Sequence, residues 1–259
     1  MSSSKYEDII INRGVCSLFG YKILIYLYLV DGLLIDCGPN QLKRESSKFF
    51  EENNIEQVAL SHVHEDHSGM AAWIQQNMNI PVYLHEMSIP QALKKGKYPL
   101  YRHIMWGKRP AFNPQPMPDI LKTQQYTFEV IESPGHAEYH KVFHEKQQGW
   151  LFTGDLYVGT KQLVAFKDEN MKDTIVSLNK LLRLDFQTVF CAHAGVVENG
   201  KAALQKKLDY LLDLQMKVEN LRRQGMTNRE IDQKLFPVIP LITRVSHGEW
   251  SSYNIISTI

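Results

Sequence analysis

Apolar and polar positions recur along this chain with two different periods. Runs with a period near two, rich in β-branched and aromatic residues, fall at 6–12 and 23–29, and Asp31-Gly32 between Val30 and Leu33 is a tight-turn dipeptide. These segments predict antiparallel strands joined by hairpins. Short apolar runs ending in Leu34-Ile35, Val58-Ala59-Leu60 and Val82-Tyr83-Leu84 then alternate with helical patterns at 41–52, 69–77 and 86–95. Such alternation predicts an α/β layered domain. Strand signals return at 126–131, at Trp150-Leu151-Phe152-Thr153 and at Val189-Phe190-Cys191. Over 198–224, Leu204, Leu208, Leu211, Leu212 and Val218 form an apolar stripe between Lys, Arg and Gln residues, which predicts a long helix. That stripe suits packing on its own domain; a homodimer seam is the alternative. Thr227-Asn228-Arg229-Glu230 has the pattern of a capping box opening a shorter helix before Pro237. Residues 96–120 fit neither period, and their five prolines and two glycines predict a lid or binding loop.

Composition narrows the function classes. Of 259 residues, 44% are hydrophobic and 22% charged, as in ordinary soluble globular proteins, and a net charge of +1 leaves no footprint for a polyanion. Nucleic acid is therefore not indicated as a partner. The start of the chain lacks the basic-then-apolar order of a signal peptide, and the longest apolar run, 23–30, is too short to span a bilayer. Cys16, Cys37 and Cys191 are odd in number and widely spaced, so they read as reduced, buried thiols. The expected location is the cytoplasm, with no membrane partner.

Chemistry concentrates in Ser61-His62-Val63-His64-Glu65-Asp66-His67-Ser68-Gly69, directly after a short strand. Along an extended backbone, residues two apart point the same way, so His62 and His64 can share one ion. The loop then turns, leaving Asp66 and His67 for a second. The sequence His-x-His-x-Asp-His resembles the signature of the metallo-β-lactamase superfamily, specifically its glyoxalase II-like, lactonase-like hydrolases. The resemblance covers roughly residues 6 to 200.

The resemblance implies an α/β fold, the four-layered αββα sandwich, over residues 1–200 with a lid insertion near 96–120. Residues 201–259 then form a C-terminal helical extension packed on it. It also implies that His62, His64 and His136 hold one ion, that Asp66, His67 and His193 hold another, and that Asp155 bridges them. His136 follows a strand in Ser133-Pro134-Gly135-His136, Asp155 follows Gly154, and His193 precedes Ala194-Gly195. Asp36 matches an aspartate near the metal loop, where it either holds a ligand imidazole from behind or accepts hydrogen bonds in the turn before Gly38-Pro39. Two Zn2+ suit these donors, with iron or manganese as alternatives.

Such a site implies hydrolysis of a small ester, thioester or lactone by a hydroxide held between two cations, with Asp66 also orienting the water. Proton donors to the leaving group are offered by His140, Tyr157 and His247, although His140 also suits plain strand placement. Alternatives are a phosphodiesterase or ribonuclease with the same core and a non-hydrolytic iron protein of the persulfide dioxygenase kind. Residues 87–118 carry Lys94, Lys95, Lys97, Arg102, Lys108 and Arg109 with no acidic residue. With Trp106 among them, Arg102, Lys108 and Arg109 are expected to select an anionic small-molecule substrate, unless the run is simply a solvated loop.

Overall fold

The computed structural model describes residues 1–259. Two sheets face each other. The first has seven strands in chain order, Ser2–Tyr6, Ile9–Leu18, Tyr21–Val30, Leu33–Ile35, Gln57–Ala59, Val82–Leu84 and Gln115–Pro116. Its first four strands pair antiparallel and the remainder pair parallel. Asp31 and Gly32, at φ 45° and 83°, make the expected tight turn. The second sheet runs in the order Gly195–Val197, Thr188–Cys191, Trp150–Gly154, Lys141–Glu145, Thr127–Glu132 and Ile120–Lys122.

Between the sheets lies a dry layer in which Ile9, Tyr28, Val30 and Ile35 meet Phe128, Phe143, Phe152 and Phe190. Each outer face is covered by helices, because both faces of these strands are apolar and need cover. Phe49, Phe50, Ala71, Ile74, Tyr101, Met105 and Trp106 cover the first sheet, from helices Lys43–Glu52, Ala71–Asn77 and Leu100–Trp106. Helices Met171–Leu181, Gly200–Arg223, Asn228–Leu235 and Ser252–Thr258 cover the second. The result is the four-layered αββα sandwich with C-terminal helices. Thr227 and Glu230 close the anticipated capping box.

Several elements differ from their sequence-based expectations. The pattern at 86–95 yields only a 3-10 turn and the short helix Ile89–Ala92, since Gly96 and Pro99 follow closely. The helical turn in the metal loop starts at Glu65 rather than at Ser68. The strand Lys141–Glu145, central in the second sheet, was not anticipated. Residues 96–120 include the helix Leu100–Trp106, whose Trp106 also lines the cavity over the candidate ligands. Tyr101, Met105 and Trp106 drive the helix Leu100–Trp106 into the first core cluster, where aromatic burial outweighs the local proline content.

Candidate metal centre

Parallel pairing sets the location of the site. Ile35 pairs with Ala59 and Gly154 pairs with Cys191, so two parallel strand pairs end at a common edge of the sandwich. Asp36, the 61–67 loop, Asp155 and His193 all follow directly from those four ends. His136 arrives from the turn after Thr127–Glu132. Backbone conformation is tightly specified here: Gly154 has φ 47°, and a Cβ on it would come within 2.7 Å of His140 Nε2.

The seven residues expected to hold ions come together in two groups. His62, His64 and His136 form one; Asp66, His67, Asp155 and His193 form the other, each with its donor atoms within 4.8 Å of one another. His64 Nδ1 lies 3.1 Å from His136 Nε2. Asp155 stands between the groups, with Oδ1 3.3 Å from His67 Nε2 and 3.2 Å from His193 Nε2, and Oδ2 3.4 Å from His136 Nε2. His62 Nε2, His67 Nε2 and Asp155 Oδ1 are buried and make no well-formed hydrogen bond, the close approaches of Asp155 Oδ1 to imidazole nitrogens notwithstanding. Such orphaned polar atoms are costly unless something binds them. A pair of cations would satisfy all three, and nitrogen and carboxylate donors suit zinc, iron or manganese.

The opposite edges of His62, His67, His136 and His193 are held from behind. Asp36, at φ 55°, sits 2.8 Å from His67 Nδ1 and accepts from both the amide and the hydroxyl of Ser61. His193 Nδ1 is 2.7 Å from the carbonyl of Leu24, and His62 Nδ1 is 3.0 Å from Ser61 Oγ. Glu169 lies 3.5 Å from His136 Nδ1 and accepts from the Phe166 amide. Fixing Nδ1 this way turns Nε2 toward the centre as a donor.

Burial, then the neighbouring imidazoles, hold His62 and His64 well below the ordinary histidine value, so both present neutral lone pairs. Burial opposes charge on His67 and His193 too, but Asp155 and the other carboxylates around them outweigh it and hold both well above that value. Filling the second group with a cation therefore displaces protons, and affinity for metal rises with pH.

Proton-donor expectations divide. His140 is buried, with Nδ1 2.8 Å from Ser133 Oγ and Nε2 accepting the Asp155 amide at 3.2 Å. Burial pushes it down to about 3; the ring does not line the cavity over the ligands and, through its bond to the Asp155 amide, it positions Asp155. His247 occupies an exposed turn outside the cavity over the ligands. Tyr157 does line that cavity, with its hydroxyl 3.4 Å from Thr160 Oγ1.

The expected substrate cations are a correction. Arg102 is buried and forked onto Glu65 at 2.5 and 2.8 Å, with a further contact to Glu249 at 3.2 Å. Arg109 is buried and donates to the carbonyls of Gln91, Ala92 and Lys94, ending the helix Ile89–Ala92. Lys108 is exposed and away from the cavity; of the four, only Trp106 lines it. Arg102 and Arg109 thus find their acceptors within the fold, as buried guanidiniums must, and both edge a separate cavity beside His64.

Sequence reasoning missed Glu65, Glu169 and Lys207. Lys207 carried a signal, since it falls on the apolar stripe beside Leu204, Leu208 and Leu211. Its ammonium reaches from the long helix to the carbonyls of Leu156 and Tyr157, both at 2.7 Å, and so anchors the loop that follows Asp155. Burial pushes this amine from 10.5 down to about 8. Between those values the unfolded chain binds more protons, so the group adds stability as pH rises through the window. The wild type is expected to gain stability relative to Lys207→Met from about pH 8 to 10.5, measured by urea unfolding. Parallel profiles for the two proteins would contradict it.

Residues 25–193 match the metallo-beta-lactamase superfamily. The chain belongs to that superfamily. It is 26% identical to a probable metallo-hydrolase, YqjP, of Bacillus subtilis over 289 positions, covering 90% of this chain and 86% of that protein. A 78-residue stretch is 35% identical to a hydroxyacylglutathione hydrolase of Legionella pneumophila, covering 29% of this chain and 30% of that one. An atrochrysone carboxyl ACP thioesterase of Aspergillus fumigatus is 25% identical over 204 residues, 76% of this chain and 58% of the relative. The chain thus spans less than two thirds of these last two relatives. Among solved structures, a beta-lactamase domain protein from Burkholderia ambifaria superposes with a TM-score of 0.72 at 16% identity, over 98% of this chain and 86% of that one. This likeness establishes the fold. Membership of the superfamily supports an enzyme with bound metal, and no helix is long and apolar enough to cross a membrane.

Proposed function

We propose that this protein hydrolyses a small ester or thioester with two zinc ions. The position of Asp155 carries the reading: its two oxygens face the two donor groups separately, at 3.2 to 3.4 Å. When bound, a cation pair there supplies an acidified water and a Lewis acid for the scissile carbonyl. The chain's own residues do the rest. Asp66 lines the cavity, where its carboxylate can accept a hydrogen bond from the attacking water and hold it in line. Asp36, Glu169 and the Leu24 carbonyl keep the imidazoles aimed, so little reorganisation accompanies the reaction. Tyr157 is the hydroxyl best placed to serve the leaving group. Three buried, unpaired cysteines suit a reducing compartment such as the cytoplasm.

Protein purified without chelators is expected to contain about two metal ions per chain, because seven donor residues exceed the needs of one tetrahedral ion. Elemental analysis alongside an ester and thioester panel tests the proposal. A stoichiometry that stays near one after reconstitution would remove the dinuclear reading. Iron with no hydrolysis would favour the dioxygenase alternative.

A second reading, phosphodiester hydrolysis, is favoured by one observation. A cavity beside His64 is lined by Lys94, Lys95, Lys97 and Arg109. Turnover of a phosphodiester that falls steeply with salt would support it over carboxylic ester hydrolysis.

A further inference from the structure

A cavity of about 420 Å³ opens directly over Asp66, His136, Asp155 and His193. Its walls differ in chemistry. One is aromatic: Phe166 and Trp250 stack at 4.6 Å with their planes 10° apart, and Trp106 lies 6.1 Å from Trp250. Backbone pairing of Phe166 with Trp250 and the bond from the Phe166 amide to Glu169 hold this wall in place. Ile23 and Leu24 also line the cavity, and Leu163 and Val158 among its lining remain 57% and 46% exposed although apolar. Exposed aliphatic side chains gathered along a cavity mark a binding surface.

The charges near the aromatic wall are already engaged: Glu169 accepts from the Phe166 amide and from Gln162. Arg102 lies behind Phe166, 4.6 Å from the ring centroid, and is already neutralised by Glu65 and Glu249. Lys207 is engaged by two carbonyls. Lys22 and Lys161, both exposed, sit at the rim. A polar acyl group laid on the aromatic wall would lose its hydration without gaining partners there.

Building on the hydrolase reading above, we infer that the substrate is a thioester or ester of an apolar carboxylic acid, whose hydrocarbon chain lies against Trp106, Phe166 and Trp250. Water attacks the carbonyl carbon, the bond to the leaving sulfur or oxygen breaks, and the leaving group takes up a proton. The products are the free fatty or aryl acid and a thiol or alcohol. Because Trp250 comes from the C-terminal segment, that segment takes part in selecting the substrate.

The test uses full-length, metal-loaded protein and a series of N-acetylcysteamine thioesters from acetyl to octanoyl. Burial of each methylene is worth roughly a fourfold gain, so kcat/KM should climb along the series by at least about tenfold. Leu163→Asp, at an exposed position of the cavity, should flatten that climb with metal content unchanged. Calorimetry supplies a readout independent of turnover: octanoate should bind at least about tenfold tighter than acetate, and Leu163→Asp should erase the difference. Turnover that is flat or falling with chain length, or equal binding of the two acids, overturns the inference while the hydrolase reading stands. Selective octanoate binding with no hydrolysis of any ester supports the apolar subsite and sinks the hydrolase reading instead.

Discussion

Asp155→Ala is expected to lower the metal content from about two ions per chain to one or fewer and to reduce kcat/KM by at least about 10²–10³-fold, the range seen for loss of one preorganised electrostatic group. The reason is geometric. Asp155 alone offers separate oxygens to both donor groups, 3.3 Å from His67 Nε2 on one side and 3.4 Å from His136 Nε2 on the other. His140→Ala provides the contrast. That ring reaches Asp155 only through the backbone amide, so metal should be retained while activity falls by about 10- to 100-fold, as when a ligand's supporting partner is removed. Elemental analysis and kinetics on the two variants decide the matter. Equal metal loss in both would place His140 among the groups that hold the ions.

The second large effect concerns folding. Arg102→Ala should destabilise the protein by about 3–5 kcal/mol, because it strands the buried Glu65 carboxylate without a partner. Glu65 lies between His64 and Asp66 in the chain, so its displacement should also loosen the metal loop and reduce metal occupancy. Replacing both residues, Glu65→Gln with Arg102→Met, removes the buried charges together and should restore most of the stability, since exchanging a buried ion pair for uncharged groups of similar volume is often nearly neutral. Urea unfolding of the single and double variants measures this. A loss of less than about 1 kcal/mol in Arg102→Ala would mean that the pair behaves like an exposed one. The same pair explains why this arginine is not free to recognise an anionic substrate, and why the Pro-rich segment around it is part of the fold.

The candidate metal-binding residues were legible in the sequence because coordination restricts residue type severely and the family resemblance places them in order. His62, His64, Asp66 and His67 crowd one short loop, and His136, Asp155 and His193 each follow a recognisable strand. The apolar periods made an α/β layered domain legible, and the family resemblance of the metal loop supplied the four-layered arrangement. Short-range turn chemistry was readable as well, at Asp31-Gly32 and in the Thr227–Glu230 capping box.

Tertiary structure alone decided what surrounds those ligands. Glu169 meets His136 from 33 positions along the chain, and Leu24 meets His193 across 169, with no local pattern that could announce either contact. The cations of the Pro-rich segment looked free because sequence displays charge but hides its partner; Glu65 and Glu249 claim Arg102 only once the chain is folded. His140 looked like a candidate acid for the same reason, until burial and its bond to the Asp155 amide assigned it to positioning. The cavity wall joins residue 106 to residues 166 and 250, a surface created entirely by long-range packing. Ligand identity is a matter of residue type and local spacing, which a sequence carries directly. Partner choice and cavity shape depend on which distant side chains are buried together, and only the folded chain sets that.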